Sequence, residues 1–395
     1  MPLRPHQLDA LRAMAIHNKG QIIVPTGGGK TMCMIKDAIA LLKGSSKTVV
    51  VVAPRILLAE QLSSEFMEEF VKNDMEHIQV MHVHSGETHH YSSTKSNDIY
   101  FWHTTRWYAP RIIFTTYHSL EKVKGSTVEV DTIYFDEAHN SVQRNFFPAV
   151  KFFATHRANR SFFFTATPKH SLTIQKAGMN NSRVYGQVIV NVPAPKLVDE
   201  GYILPPKVEV YKSRLLRKDE IYADVESEHM IGAIDKLEVD KILICAKSTK
   251  QITNLLYASK FQDELAWRGY SWMTITSKTG AIIDGEKVGR DDFFEVLNAW
   301  GKDDNKKFVV LHHSILSEGI NVKGLEAALF MRNMDYITIS QTIGRVIRLG
   351  NEYKTHGKVC VPVYNNVGIS TARKVEAVVD TVFNRGEPAI SVITR

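Results

Sequence analysis

Short, nearly continuous apolar runs recur through the first half of the chain, each followed by Gly, Pro, Ser, Thr or Asp. They are Ile22 to Val24, Val49 to Ala53, Ile112 to Phe114, Thr132 to Phe135 and Phe162 to Phe164. Runs this short, apolar on both alternating faces, predict strands buried on both sides of a parallel sheet. Helix-period stretches lie between them, at Met32 to Leu42, Leu57 to Phe70 and Gln143 to Phe153. Strand-helix alternation implies right-handed crossovers and a doubly wound α/β sheet. The pattern then starts again, with strands at Lys241 to Cys245, Phe308 to Leu311 and Ala327 to Phe330, and helices at Thr249 to Arg268 and Asp291 to Trp300.

Between the two sets, NVPAPKLVDEGYILPP (191–206) concentrates proline, which fits neither a helix interior nor a central strand. It reads as a linker, dividing the chain into domains 1–204 and 205–395. The 395 residues suit two or three domains, and 44% hydrophobic with 23% charged residues excludes a disordered, collagenous or coiled-coil chain. The net charge of +7 divides as +5 before residue 204 and +2 after it, so neither half is a basic tail. Any contact with a polyanion must come from local surfaces. Cys33, Cys245 and Cys360 lie far apart and form no ligand pair, which indicates neither a disulfide framework nor a zinc site. No signal-peptide layout and no apolar run of membrane-spanning length is present in the sequence, so a soluble, cytoplasmic protein without a membrane partner is expected.

Chemistry enters at Val24-Pro-Thr-Gly-Gly-Gly-Lys-Thr31, directly after an expected strand and before an expected helix. Successive glycines at 27, 28 and 29, with Thr26, let backbone N–H groups converge on phosphate oxygens. Lys30 can then reach the β and γ phosphates of ATP, and the Thr31 hydroxyl can ligate Mg²⁺. Val24 stands where the strict GxxxxGK[ST] pattern has its first glycine. Asp136-Glu-Ala-His139 follows the buried run Thr132 to Phe135. There Asp136 can hold the metal and Glu137 can orient and deprotonate an attacking water.

Further stretches fall in a set order, and with them the chain resembles the superfamily 2 helicases and translocases over nearly its whole length. Leu3-Arg-Pro-His-Gln7 resembles the adenine-reading segment, Pro25 to Thr31 motif I, Ala53 to Gln61 motif Ia and Thr115 to Leu120 motif Ic. Asp136 to His139 resembles motif II, Thr165-Ala-Thr-Pro168 motif III, Ile242 to Ser248 motif IV, Leu316 to Val322 motif V and Gln341 to Arg348 motif VI. The resemblance implies two tandem RecA-like domains with the ATP cleft between them. It implies Gln7 as the base contact, Gly319 and Asn321 at the nucleotide, and Gln341, Arg345 and Arg348 as second-domain groups. The two arginines would act as fingers on the γ-phosphate, one helical turn apart on one face. It further implies that His139, Thr165 and Thr167 couple the sites. Asn321 occupies a position where the family often has Asp.

The nucleic-acid track is expected on Arg55, Ser85, Gly86, Thr116 and Tyr117 in the first domain and on Lys247, Ser248 and Ser314 in the second, holding phosphates without reading bases. His82, His84, His89, His90 and His103 follow no fixed ligand spacing and are expected to be solvated loop histidines. Tyr100, Phe101, Trp102, Trp107 and Tyr108 around Arg106 fit either a base-stacking surface or a hydrophobic lid over a sheet edge.

Motif II spells DEAH, but Ile347 occupies the position where DEAD- and DEAH-box enzymes place a glycine before the final arginine of motif VI. This spelling and the 191–206 segment look more like the DNA-directed group with XPB-type, RadD-type and UvsW-type phage recombination helicases. The expected activity is that of a monomeric, ATP- and Mg²⁺-dependent DNA helicase or translocase on single-stranded or forked DNA, in replication, recombination or repair. An RNA helicase of the same superfamily and an ATP-switched clamp or annealing factor are the alternatives.

Overall fold

The computed structural model describes residues 2–173, 175–212, 221–276, 278–313, 324–350, 354–363 and 366–393. The chain forms two compact units, Met1–Val192 with Ile390–Arg395, and Pro193–Ala389. This division lies near the start of the proline-rich segment and not at residue 204, and the C-terminal residues group with the first unit.

In unit 1 the strands are β1 (Lys19–Ile23), β2 (Thr48–Ala53), β3 (Gln79–Val83), β4 (Tyr91–Ser92), β5 (Arg111–Thr116), β6 (Val130–Phe135), β7 (Ala158–Thr165), β8 (Lys169–Ser171) and β9 (Val188–Asn191). Its helices are α1 (Pro5–Ile16), α2 (Lys30–Leu42), α3 (Ile56–Val71), α4 (Ser96–Thr105), α5 (Leu120–Gly125), α6 (Phe147–Phe152) and α7 (Ser182–Tyr185). Eight strands form one sheet in the order β4-β3-β5-β2-β6-β7-β1-β9, and β8 stands outside it. Every residue of β2 is buried, as an apolar run with no polar alternation requires in a sheet covered on both faces.

The order of strands decides where the motifs go. The segments after β6, β7 and β1 are those expected as motifs II, III and I, and these three strands are adjacent. Ser85 and Arg55 follow β3 and β2, and Thr116 ends β5; these three strands are adjacent on the other half of the same sheet. In a parallel sheet all carboxyl ends share one edge, where open α/β folds bind ligands.

Unit 2 opens with α8 (Ala194–Asp199) and β10 (Pro206–Lys212), followed by α9 (Tyr222–Leu237), β11 (Lys241–Cys245), α10 (Thr249–Tyr257) and α11 (Phe261–Trp267). Next come β12 (Ser271–Thr276), β13 (Gly280–Ile283), β14 (Glu286–Val288), α12 (Arg290–Lys302), β15 (Phe308–His312), β16 (Ala327–Phe330), α13 (Tyr336–Val346), β17 (Gly357–Val363) and α14 (Asn366–Val378). The sheet order is β10-β17-β16-β11-β15-β12-β13-β14, parallel except for the antiparallel edge β12-β13-β14.

Two expectations change. The segment 191–206 is not a bare linker: it contains α8, because Pro195 sits in the first turn, where no intrahelical N–H bond is lost. The single helix expected over Thr249 to Arg268 is two, since the Ser259 hydroxyl takes the Leu255 carbonyl at 2.7 Å and accepts the Phe261 N–H at 3.2 Å. Among the described residues, no helix is long and apolar enough to cross a membrane.

Candidate functional site

The expected phosphate loop is the turn between β1 and α2. Its backbone needs glycine at two places: Gly27 has φ +87° and Gly29, the residue before α2, has φ +81°. The start of α1 packs directly on the loop. Arg4 Nη1 donates to the Gly27 carbonyl at 3.2 Å, His6 Nε2 lies 2.7 Å from the Gly28 carbonyl, and Gln7 Nε2 donates to the Gly29 carbonyl at 3.1 Å. Three successive carbonyls are thus held on the α1 side. The N–H groups of the first turn of α2 have no preceding helical turn to bond, which is the usual basis of a phosphate site. Gln7, expected as a base contact, here has its amide on the loop, and its Oε1 also accepts the Arg4 N–H at 2.9 Å. Pro5 at the start of α1 is the sequence signal that sets Arg4 and Gln7 one turn apart.

Motif II lies across from the loop. Lys30 Nζ meets Glu137 Oε1 at 2.8 Å, with side-chain exposures of 10% and 14%. Glu137 is held in the left-handed region at φ +44°. Asp136 is buried, and its backbone N–H joins the Val52 carbonyl at 2.9 Å while its carbonyl accepts the Tyr117 hydroxyl at 2.9 Å. Burial first, and then the neighbouring Glu137 charge, push the Asp136 carboxyl up to about 7, with Lys30 pulling the other way. The buried Asp136 carboxyl beside the partly exposed Glu137, countered by Lys30, is a donor set that a divalent cation beside Asp136 would complete.

His139 ties motif II to motif III. Asn140 Nδ2 donates to the Glu137 carbonyl at 3.0 Å and to His139 Nε2 at 3.2 Å, while Asn140 Oδ1 accepts from Gln143 at 3.1 Å. That orientation leaves the ring proton on Nδ1, which donates to Thr165 Oγ1 at 3.1 Å; Thr167 Oγ1 lies 3.4 Å from the same nitrogen. Thr165 Oγ1 also accepts the Thr167 N–H at 3.0 Å, and the Thr165 carbonyl accepts the Val24 N–H at 3.1 Å. The three segments form one hydrogen-bonded unit around the loop.

In unit 2, α13 is capped by Asp335, whose carboxylate accepts the Thr338 N–H at 2.9 Å. Gln341 and Arg345 are buried on this helix. Arg345 stands close enough to His312 to help hold its imidazole at about 3, after the larger effect of burial. Arg348 is half-buried but lies past the end of α13, which stops at Val346. The two arginines are therefore not one turn apart within a single helix. The chain leaves the helix at Ile347, whose carbonyl accepts the Leu204 N–H at 2.7 Å and whose side chain packs where a Gly357 Cβ would stand. Ser314, Gly319 and Asn321, and the rest of the motif V segment, lie outside the described residues.

The expected nucleic-acid residues divide. Arg55 is the residue before α3, Ser85 and Lys247 are exposed, and Gly86 is half-buried. Gly86 abuts Ile56, which any Cβ there would meet at 2.4 Å. Ser248 caps α10, accepting the Gln251 N–H at 3.1 Å. Thr116 is buried and accepts the Ser119 N–H at 3.2 Å. Tyr117 is a correction: only 2% exposed, it stacks near Phe135 and Phe146, and its phenol is spent on the Asp136 carbonyl. Its side chain braces motif II from within the core and does not face a ligand.

The histidines are also corrected. His89 is exposed, but His82 and His84 are fully buried, because β3 carries them into the space against α3. Of the aromatic group, Trp102 is buried while Tyr100, Phe101, Trp107 and Tyr108 are exposed by 52% to 71%.

Residues 1–170 match the family model described as "Type III restriction enzyme, res subunit". No curated protein sequence matches the chain significantly. Among solved structures, the chain is similar to the ATP-dependent Type ISP restriction-modification enzyme LlaBIII bound to DNA, at 18% identity and TM-score 0.76, covering 100% of this chain and 31% of that one. It is similar to a nuclease-deletion mutant of the Type ISP enzyme LlaGI with a DNA substrate mimic, at 21% identity and TM-score 0.67, covering 99% and 30%. It is also similar to S. cerevisiae Dbp5 bound to RNA and ADP BeF3, at 16% identity and TM-score 0.56, covering 99% and 94%. The chain thus spans under a third of the two restriction enzymes' length. These likenesses define the fold: two tandem RecA-like α/β domains.

Proposed function

We propose that the chain is a nucleic-acid-stimulated ATPase motor acting on DNA. The observation that carries this reading is the Lys30–Glu137 contact at 2.8 Å, which brings motif I against motif II beside the buried Asp136.

In this reading the N–H groups at the start of α2 cradle the phosphates of ATP, with the loop shaped by Arg4, His6 and Gln7. Thr31 and Asp136 would hold Mg²⁺, which when bound supplies positive charge to the β and γ phosphates. Lys30 transfers from Glu137 to a phosphate oxygen. Glu137, relieved of its ion pair, becomes a stronger base and accepts a proton from the water that attacks the γ-phosphorus. The base is thereby released only when substrate is present. Arg345 and Arg348, with Gln341, add cationic and polar groups to the transition state, and motif V contributes Gly319 and Asn321. His139, Thr165 and Thr167 relay changes at Glu137 to the strand β7.

DNA is favoured over RNA by the match of residues 1–170 to a restriction-enzyme model and by the spelling of motif VI. The narrower assignment, a UvsW-, RadD- or XPB-type motor on forked or recombining DNA, rests on motif VI and the 191–206 segment. Arg55, Ser85, Gly86, Lys247, Ser248 and Ser314 are proposed to hold the phosphate backbone, with the exposed aromatics of α4 available for stacking. ATP hydrolysis measured with duplex DNA, single-stranded DNA and RNA tests the substrate. Stimulation by DNA is expected, and stimulation by RNA alone would contradict it. Strand displacement on a forked duplex separates a helicase from a clamp or annealing factor.

A further inference from the structure

His82 and His84 lie two apart on the run of β3 into the following turn, so their side chains leave the same face of the sheet. Glu60 and Ser63 lie three apart on α3, one turn on a single helix face. The packing of α3 on the sheet brings the four together. Glu60 Oε1 stands 3.2 Å from His82 Nδ1 and 3.0 Å from His84 Nε2, and the two nitrogens are 2.9 Å apart. Three donor atoms thus form a nearly equilateral triangle. The ligand-to-ligand edge of a tetrahedral zinc site, with bonds near 2.0–2.1 Å, is about 3.4 Å, so closure requires only a few tenths of an ångström of outward movement.

The surroundings suit a ligand set. Both histidine side chains are fully buried, whereas Glu60 is 28% exposed and gives a route from solvent. Burial keeps both imidazoles neutral near pH 7 and their lone pairs available. His82 Nε2 lies 3.0 Å from the Ser63 hydroxyl, and its ring is stacked on His90 with centroids 5.5 Å apart. With Nδ1 on a cation, Nε2 carries the ring proton and donates it to Ser63, the second-layer bond that fixes a metal-bound histidine.

We propose that Glu60 Oε1, His82 Nδ1 and His84 Nε2 form a binding site for a divalent cation of the zinc class, with the fourth position left to water. Two imidazoles and one carboxylate suit Zn²⁺ better than Mg²⁺ or Ca²⁺, which take oxygen ligands. The proposal is independent of the ATPase reading.

Without a cation, the same triangle is held by protons, and the two occupants make opposite demands on His84. The Gly86 N–H donates to His84 Nδ1 at 3.2 Å, so the metal-free neutral ring carries its proton on Nε2. A cation at Nε2 moves that proton to Nδ1, where it faces the Gly86 N–H, and the turn at Ser85-Gly86 must give way. Loading the site therefore reshapes the turn proposed to hold nucleic-acid phosphates.

The test uses the full chain stripped with a chelator and titrated with Zn²⁺ against a chromophoric competitor. One equivalent should bind, Co²⁺ in its place should give the visible absorption of a four-coordinate ion, and Zn²⁺ should raise the melting temperature. Glu60→Gln and His84→Gln should each weaken Zn²⁺ binding by about tenfold or more, whereas Asp136→Asn should leave it unchanged. Zinc bound equally by Glu60→Gln and His84→Gln, or lost only in Asp136→Asn, would overturn the proposal. Because buried-site variants can misfold, the wild-type chain supplies a second reading by NMR. Zn²⁺ should shift the Gly86 amide and the ring signals of His82 and His84, and no shift at saturating Zn²⁺ refutes the site.

Discussion

The carboxyl edge of the unit 1 sheet and the end of α13 in unit 2 hold opposite charge chemistry. After β6 and β1, two adjacent carboxylates face a single lysine, and Asp136 is pushed up to about 7 by burial and by Glu137. Beyond β11 and β15, the charge near the core is cationic: Arg345 helps hold His312 at about 3. In the proposed mechanism, unit 1 cradles the triphosphate and activates water, with Lys30 already engaged by Glu137. Unit 2 carries Arg345 and Arg348, the proposed fingers. In the proposed mechanism, Lys30 serves ATP binding, and Arg345 and Arg348 serve the transition state.

Four substitutions sharpen or break that contrast. Arg348→Ala should lower kcat by about 10³- to 10⁵-fold while leaving ATP binding nearly intact; an unchanged kcat, read by steady-state hydrolysis, removes it from the finger role. Lys30→Ala, on the binding side, should cost about 10²- to 10³-fold in turnover and also weaken ATP binding, which nucleotide titration would read. Gly29→Ala forces a Cβ to 2.5 Å from Gln7 Nε2 and a non-glycine residue to φ +81°. A loss of about 1–3 kcal/mol is expected, seen as a raised Kd for ATP with unit 2 undisturbed. Tyr117→Phe removes the bond to the Asp136 carbonyl and should lower stability by about 1 kcal/mol in denaturant unfolding. A large loss of nucleic-acid affinity with stability unchanged would instead restore Tyr117 to the binding surface.

The sequence made the central strands and the nucleotide motifs legible, because both are local. Val49 to Ala53 and Lys241 to Cys245 are apolar throughout, and GGGKT and DEAH each carry their chemistry within a few residues. What it concealed depends on what packs against a segment. His82 and His84 stand two apart at and just past the end of β3, and packing against α3 buries them. Tyr117 follows a buried strand and resembles a strand-end surface residue until Phe135 and Phe146 are seen against it. Pro193 and Pro195 suggested a linker, yet a proline in the first turn begins α8 as readily as proline ends a helix. The roles of Arg4 and His6 are hidden in the sequence because their partners are backbone carbonyls of residues 27 and 28, which no side-chain pattern reveals.

Glu137 is proposed as the base that Lys30 releases when ATP arrives. Glu137→Gln keeps the size and hydrogen-bonding reach of the side chain but cannot accept the proton. ATP binding and hydrolysis should be measured on the same preparation, with and without DNA. Binding should persist while DNA-stimulated hydrolysis falls by about 10²- to 10⁴-fold; brisk hydrolysis by Glu137→Gln would contradict the assignment of the base and the mechanism built on it.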